Sequence, residues 1–240
     1  MQYFLTEPQL KRMEKGLRVA IAIPFIDDIE DYIVEALLEY AKENNGIDPF
    51  VNIRSKRLYD VVDTKRKIGY SVKSLKWAFQ AGTESEFELV IQRADIFKKE
   101  TSLGFEQLDI HSDPQILDAA LLKHWRIKVE QDAVFQDVND KRVFVLLKSV
   151  DNKKFAFFEE NIRLYQQDEI TWKWTDNTKT GLQGIHREGQ MCVYRWYPNQ
   201  KQFFERFKLP ANIQKLEINP VRLKKAQVVD TLLPYLKEHQ

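Results

Sequence analysis

Two short runs rich in Val, Ile and Tyr, Leu58 to Asp63 and Ile68 to Ser74, flank the polar segment Thr64-Lys65-Arg66-Lys67. Strand side chains alternate between two faces, so paired runs closing on a polar turn predict a β-hairpin. Ahead of it the period changes. Ile29, Ile33, Leu37 and Tyr40 recur at helical spacing, which predicts an amphipathic helix capped by Asp27 or Asp28, running to about Glu43 and stopped by Asn44-Asn45-Gly46. Read the same way, the N-terminus gives a short helix from about Glu7 to Lys15, with Thr6 as N-cap and Gly16 as its stop, then a strand at Val19 to Pro24. Further helices are expected from about Glu84 to Lys99 and from Pro114 to Glu130, and a second hairpin at Arg142 to Val150 and Lys153 to Glu159. The stretch Ile170 to Lys208 reads as mixed strand and loop ending in a short helix at Asn199 to Phe207. A last helix, Leu223 to Lys237, is split by Pro234. Hairpins beside helices indicate an α/β (α+β) fold with a mixed central sheet flanked by helices, not a regular parallel winding.

No repeat, low-complexity tract or Gly/Ser linker interrupts the 240 residues, so a single domain with a sizeable core is expected. The sole cysteine, Cys192, rules out an internal disulfide and a cysteine-based zinc cluster, points to a reducing, cytoplasmic setting and reads as a core residue. The first apolar run, Val19 to Ile26, is too short for a signal or membrane-spanning segment. His111, His124, His186 and His239 are scattered without metal-ligand spacing, and there is no Walker loop, G-x-G-x-x-G or G-x-S-x-G. Nucleotide-binding and serine-hydrolase chemistry therefore lack their signatures.

Lys plus Arg number 37 against 36 for Asp plus Glu, so attraction to nucleic acid has to come from local patches. The most polarised window carries Arg54, Lys56, Arg57, Lys65, Arg66, Lys67, Lys73 and Lys76 against only Asp60 and Asp63. Taken alone it reads as a solvated hairpin tip. Asp60 and Lys73, however, interrupt apolar strands, where a charge calls for a partner. Ser71 and Lys73 share a strand face, and a two-residue turn at Lys65-Arg66 puts Asp60 opposite Ser71, whereas a three-residue turn puts Asp63 there. Hydrolysing a phosphodiester near neutral pH calls for metal ions held by carboxylates and for a cation beside the attacking water or the phosphate.

This layout resembles the PD-(D/E)XK nuclease superfamily, in which an Asp on one strand and an acid-X-Lys on the next flank the metal. Asp60 and Tyr70-Ser71-Val72-Lys73-Ser74 fill those places, with a helix before the hairpin and another after it. Ser71 departs from the pattern, standing where the family has Asp or Glu. Some members instead take a Glu from the preceding helix, a place that Glu30, with Glu35 in reserve, can fill. The duller reading of Glu30 is one end of an Asp27-x-x-Glu30 capping box. The resemblance covers about the first hundred residues. It implies a type II restriction endonuclease that cuts duplex DNA, with Asp60, Glu30 and the Val72 carbonyl on Mg²⁺ and Lys73 at the water. It also implies a catalytic core over about 1–135, recognition and dimerisation elements over 136–240, a homodimer with the helices at Pro114 to Glu130 and Leu223 to Lys237 as interface candidates, and a cognate DNA methyltransferase.

Sequence-specific cleavage needs side chains that reach base edges or phosphates. Lys65, Arg66, Lys67 and Lys76 are candidates beside the catalytic hairpin. Lys173, Asn177, Lys179 and Gln183, in the polar stretch Trp172 to Gly184, together with Arg187 and Arg195, are candidates farther on. The same stretch also reads as an ordinary loop between core aromatics. Two alternatives remain: a structure-specific repair nuclease, and a non-catalytic nucleic-acid-binding or scaffold protein, for which Ser71 is the best argument.

Overall fold

The structure, a computed structural model, describes residues 2–43, 57–79, 86–219 and 221–238. In chain order the elements are β1 (Gln2–Tyr3), α1 (Glu7–Ala22), α2 (Asp31–Lys42), β2 (Val61–Asp63), β3 (Ile68–Lys76), β4 (Glu86–Arg93), α3 (Ile96–Leu103), α4 (Pro114–Phe135), β5 (Asp140–Lys148), β6 (Lys154–Asn161), β7 (Ile170–Trp174), β8 (Leu182–His186), β9 (Cys192–Tyr197), β10 (Gln202–Lys208), β11 (Gln214–Glu217) and α5 (Lys225–Glu238). The fold is mixed α+β, with two sheets and five helices among the described residues. The chain divides into two units, one made of Met1–Thr83, Phe135–Ile162 and Asn212–Gln240, the other of Glu84–Val134 and Arg163–Ala211.

In the first unit a six-stranded sheet runs β1-β6-β5-β3-β2, with β11 also on β6. The hairpin β2–β3 is antiparallel, whereas β3 and β5 are parallel from Ile68↔Asp140 to Lys76↔Lys148, which makes the sheet mixed. Met13 and Leu17 of α1, Ile33, Val34, Leu37 and Leu38 of α2, and Tyr70, Val72, Phe144, Leu146, Phe155 and Phe157 of the sheet form one core. Ser71 and Lys73 lie out of phase with it, as strand alternation requires.

The N-terminal expectation needs correcting. Gly16 does not stop α1, and Val19 to Pro24 is not a strand, because Leu17, Ala20 and Ile21 continue the buried helical face begun at Met13. Gly16 is needed instead for close packing, since a Cβ there would meet Leu37 Cδ2 at 2.6 Å. Glu30, not Asp27 or Asp28, stands at the N-cap of α2. Asn44-Asn45-Gly46, Arg54 and Lys56 lie outside the described residues.

The second unit holds a five-stranded antiparallel sheet, β4-β10-β9-β8-β7, together with α3 and α4. The helix expected from Glu84 to Lys99 is β4 followed by α3, with Glu84 itself outside the described residues. Phe87, Leu89 and Ile91 are buried at every second position, a strand period that the apolar Val90 between them obscures. The helix expected at Asn199 to Phe207 is likewise β10, with Phe203, Glu205 and Phe207 buried in alternation. The last helix, α5, runs through Pro234 without the expected break.

Candidate functional site

The β2–β3 hairpin pairs Val61 with Tyr70, Val62 with Gly69 and Asp63 with Ile68, which brings Asp60, the residue before β2, beside the Tyr70–Val72 stretch of β3. Gly69 is required where the chain returns, because a Cβ there would meet the Tyr59 ring at 2.6 Å. Asp63 is spent on the turn, accepting the N–H groups of Lys65 (3.1 Å) and Arg66 (3.0 Å) and the Arg66 guanidinium (3.3 Å). Of the two aspartates, Asp60 is the one that bonds β3 next to Lys73, at the Val72 N–H.

The edge of β3 explains what Asp60 does there. N–H and C=O of alternate strand residues point to the same side, so Tyr70, Val72 and Ser74 all present theirs toward β2. The Tyr70 carbonyl accepts the Asp60 N–H at 2.9 Å. At the next two positions carboxylates take over: Asp60 Oδ2 accepts the Val72 N–H at 2.7 Å, and Asp31 Oδ1 accepts the Ser74 N–H at 3.0 Å and also its hydroxyl. Strand-edge backbone donors call for partners, and here acidic side chains supply them, half-buried at Val72 and exposed at Ser74.

Asp31 opens α2, and Glu35 stands one helical turn further along the same face, with Glu39 beyond it. Burial raises the Glu35 carboxyl to about 7, helped by the charges of Asp60 and Asp31 and opposed by Lys73. Burial also raises Asp60 to about 6; Asp31 adds to this, while Lys73 and the Val72 N–H pull the other way. Like charges near one another disfavour ionisation, so these shifts place Asp31, Glu35, Asp60 and Lys73 within one electrostatic neighbourhood. Glu30 is exposed at the helix N-cap, about a third of a turn away from the Asp31–Glu35 face. The reserve residue Glu35 is therefore the helix acid at the hairpin. Asp31 was missed by sequence reasoning; the acid repeat Asp31, Glu35, Glu39 at i, i+4, i+8 beside the apolar stripe was the signal available.

Ser71 is 3% exposed, and its hydroxyl is buried with no hydrogen-bond partner among the described residues. Lys73 is half-buried. Among the basic candidates, Lys65 and Arg66 are exposed at the hairpin tip, Lys67 pairs with Asp137 at 2.9 Å and Lys76 with Asp28 at 3.1 Å. Arg57 lies over the Phe135 ring, 3.6 Å from its centre.

The recognition candidates fall on the second sheet. Lys173 pairs with Gln183 and Gln183 with Arg195, so three of them form one row across β7, β8 and β9. Arg195 also pairs with Glu88 at 2.9 Å and donates to the Tyr197 hydroxyl at 3.2 Å. The stretch expected to be a flexible loop is a hairpin whose tip is cinched by Asp176. That carboxylate accepts from Thr178 Oγ1 (2.6 Å), Thr175 Oγ1 (3.0 Å), the Thr180 N–H (3.2 Å) and the Thr180 hydroxyl, bonds that hold it well below the usual carboxylate range. Asn177 is exposed on this tip and Arg187 is exposed just past β8. Lys179 donates to the Ile110 carbonyl at 3.1 Å and lies over the Trp174 ring.

Among the described residues no three His, Cys, Asp or Glu side chains gather closely enough to hold a metal ion unaided. Mg²⁺ usually keeps several waters and takes one or two carboxylates together with substrate phosphate. Asp60, Glu35 and the Val72 carbonyl, which leaves β3 on the Asp60 edge, are donors of that kind, and the Ser71 hydroxyl, unpartnered among the described residues, belongs to the residue just before Val72. No helix among the described residues is long and apolar enough to cross a membrane. Comparison with protein-family models, with curated proteins and with solved structures returns no match.

Proposed function

We propose that the chain is a Mg²⁺-dependent endonuclease of the restriction type with a restriction endonuclease-like core, acting on duplex DNA as a homodimer. The observation that carries this reading is the strand edge at which Asp60, Lys73 and the helix acid Glu35 meet, with both acids held above the ordinary carboxylate range. Raised carboxyls grouped with a lysine mark a place where a cation lowers the energy of the ionised state. Asp60, Glu35 and the Val72 carbonyl hold Mg²⁺ in this reading. When bound, the ion offsets charge building on the scissile phosphate. Lys73, as an ammonium, orients the attacking water and stabilises the phosphorane oxygens. The exposed Lys65 and Arg66 contact backbone phosphates, and the Lys173–Gln183–Arg195 row with Asn177 and Arg187 contacts DNA at the second sheet.

The test is incubation of purified protein with unmethylated duplex DNA and Mg²⁺, beside an EDTA control and the Lys73→Ala and Asp60→Ala variants. Discrete fragments that vanish in all three controls are expected. A second reading, a non-catalytic nucleic-acid-binding protein, is favoured by Ser71 in the acid's place and by the lack of a three-ligand cluster among the described residues. Salt-sensitive DNA binding that ignores divalent ions, with no cleavage, would select it.

A further inference from the structure

We infer that Asp31 is a positioning residue: by holding both the N–H and the hydroxyl of Ser74, it fixes the first turn of α2 on the edge of β3 and so sets where Glu35 stands relative to Asp60 and Lys73. The inference rests on the nuclease reading and adds to it how a helix acid is held at a strand site.

The edge amides of β3 at Val72 and Ser74 are successive on one side of the strand, and each is taken by a carboxylate, from Asp60 and Asp31. One carboxylate belongs to the hairpin and the other to the helix, so β3 serves as a common ruler for both. A helix is stiff over one turn, with about 6 Å of rise across four residues. Fixing Asp31 therefore fixes the root of Glu35. The lead-in to α2 is tied down separately: Lys148 donates to the Ile29 carbonyl and pairs with Asp28 at 2.8 Å, and Lys76 pairs with Asp28 at 3.1 Å. Those ties hold the residues before the helix, whereas the Asp31–Ser74 bonds hold the helix itself beside the residue after Lys73. An acid in the first turn also favours a helix through its dipole, and this plainer role predicts a loss of stability without a loss of site geometry.

The experiment uses the full chain with Mn²⁺ as probe, its affinity read by calorimetry, together with kcat and KM on duplex DNA and the melting temperature. Asp31→Ala is expected to weaken Mn²⁺ binding about ten-fold or more and to lower kcat, with KM within about two-fold, the range seen when groups supporting metal ligands are removed. Asp31→Asn, which keeps an acceptor for Ser74, is expected to stay within about three-fold of the wild type. Should Asp31→Ala fail to fold, Asp31→Ser, too short to reach Ser74, is expected to show the same loss. Wild-type Mn²⁺ affinity in the Ala or Ser variant overturns the inference, and so does an equal loss in Asp31→Asn, which would leave charge alone as the cause. A wild-type chain that binds no Mn²⁺ and cuts no DNA removes the nuclease reading and this inference with it; a wild type that binds, with variants that bind equally well, removes the inference only.

Discussion

Each unit buries a carboxyl that holds its proton to about pH 7, Glu35 in the first and Asp118 in the second, and the two differ in what surrounds them. Asp118, on α4, is 2% exposed. Burial is the main cause of its shift, Asp113 adds to it, and a Gln167 hydrogen bond and the more distant Arg187 oppose it. Its Oδ1 has no hydrogen-bond partner among the described residues. Glu35 is half-buried and owes part of its shift to other acids, with a lysine opposing. A raised carboxyl is thus no sign of chemistry by itself. The grouping of acids, a lysine and an open strand edge distinguishes the first case, since only grouped ionised oxygens give a cation something to bind.

The largest effect that would break this contrast lies at the strand edge. Asp60→Ala and Lys73→Ala are each expected to lower cleavage by roughly a thousand-fold with folding retained, read by single-turnover kinetics beside circular dichroism. Wild-type rates in both would reduce the first unit's cluster to the same status as Asp118. Next, Glu35→Gln is expected to abolish any Mg²⁺-dependent rise in melting temperature while Asp118→Asn leaves that rise intact. Loss in both variants, or in neither, would erase the distinction.

A smaller effect concerns stability. Asp118 keeps its proton from its ordinary value of 3.8 up to about 7 when folded, so across that window the folded chain binds more protons than the unfolded one. Its contribution to stability therefore falls as the pH rises through the window and is level above it. Asp118→Asn is expected to remove that slope and to be more stable at pH 8 by on the order of 2 kcal/mol, measured by urea titration at pH 5 and pH 8. A variant equally destabilised at both values would show that the ionised Asp118 serves a partner. Smallest of all, Lys173→Ala is expected to weaken DNA binding a few-fold and to lower the salt slope by about one, as for a single phosphate contact. An unchanged slope would take Lys173 out of the interface.

The hairpin was legible because two runs of period two around a polar turn predict it by counting; the length of the turn, left open by the sequence, then sets Val61 against Tyr70 and brings Asp60 beside Val72. The helix acid was less legible. Glu30 and Glu35 differ only in angle around α2, and that angle depends on where the helix starts, which the Asp27-Asp28-Ile29-Glu30 run leaves open by several residues. Asp28 goes to Lys148 and Lys76 instead of capping the helix, a pairing between distant segments that no local pattern reveals. β4 and β10 were read as helices because Val90 and Phe204 break the alternation that Phe87, Leu89 and Ile91, and Phe203 and Phe207, would otherwise show, while Glu88 and Arg206 suit a helix surface as well as a strand. Their pairing with each other, from Gln202↔Arg93 to Lys208↔Glu86, overrides that local preference.

The parallel pairing of β3 with β5 has a consequence for how the chain reaches its fold. Ile68 meets Asp140 only after everything between them has been made, and that interval contains a large part of the other unit. During synthesis the β3 edge waits unpaired while this stretch emerges, and the closure of so long a loop precedes any reward from the contact. Pulse-labelled nascent chains ending before residue 148 would therefore be the most protease-sensitive and the most dependent on chaperones, with protection appearing abruptly once β5 clears the ribosome.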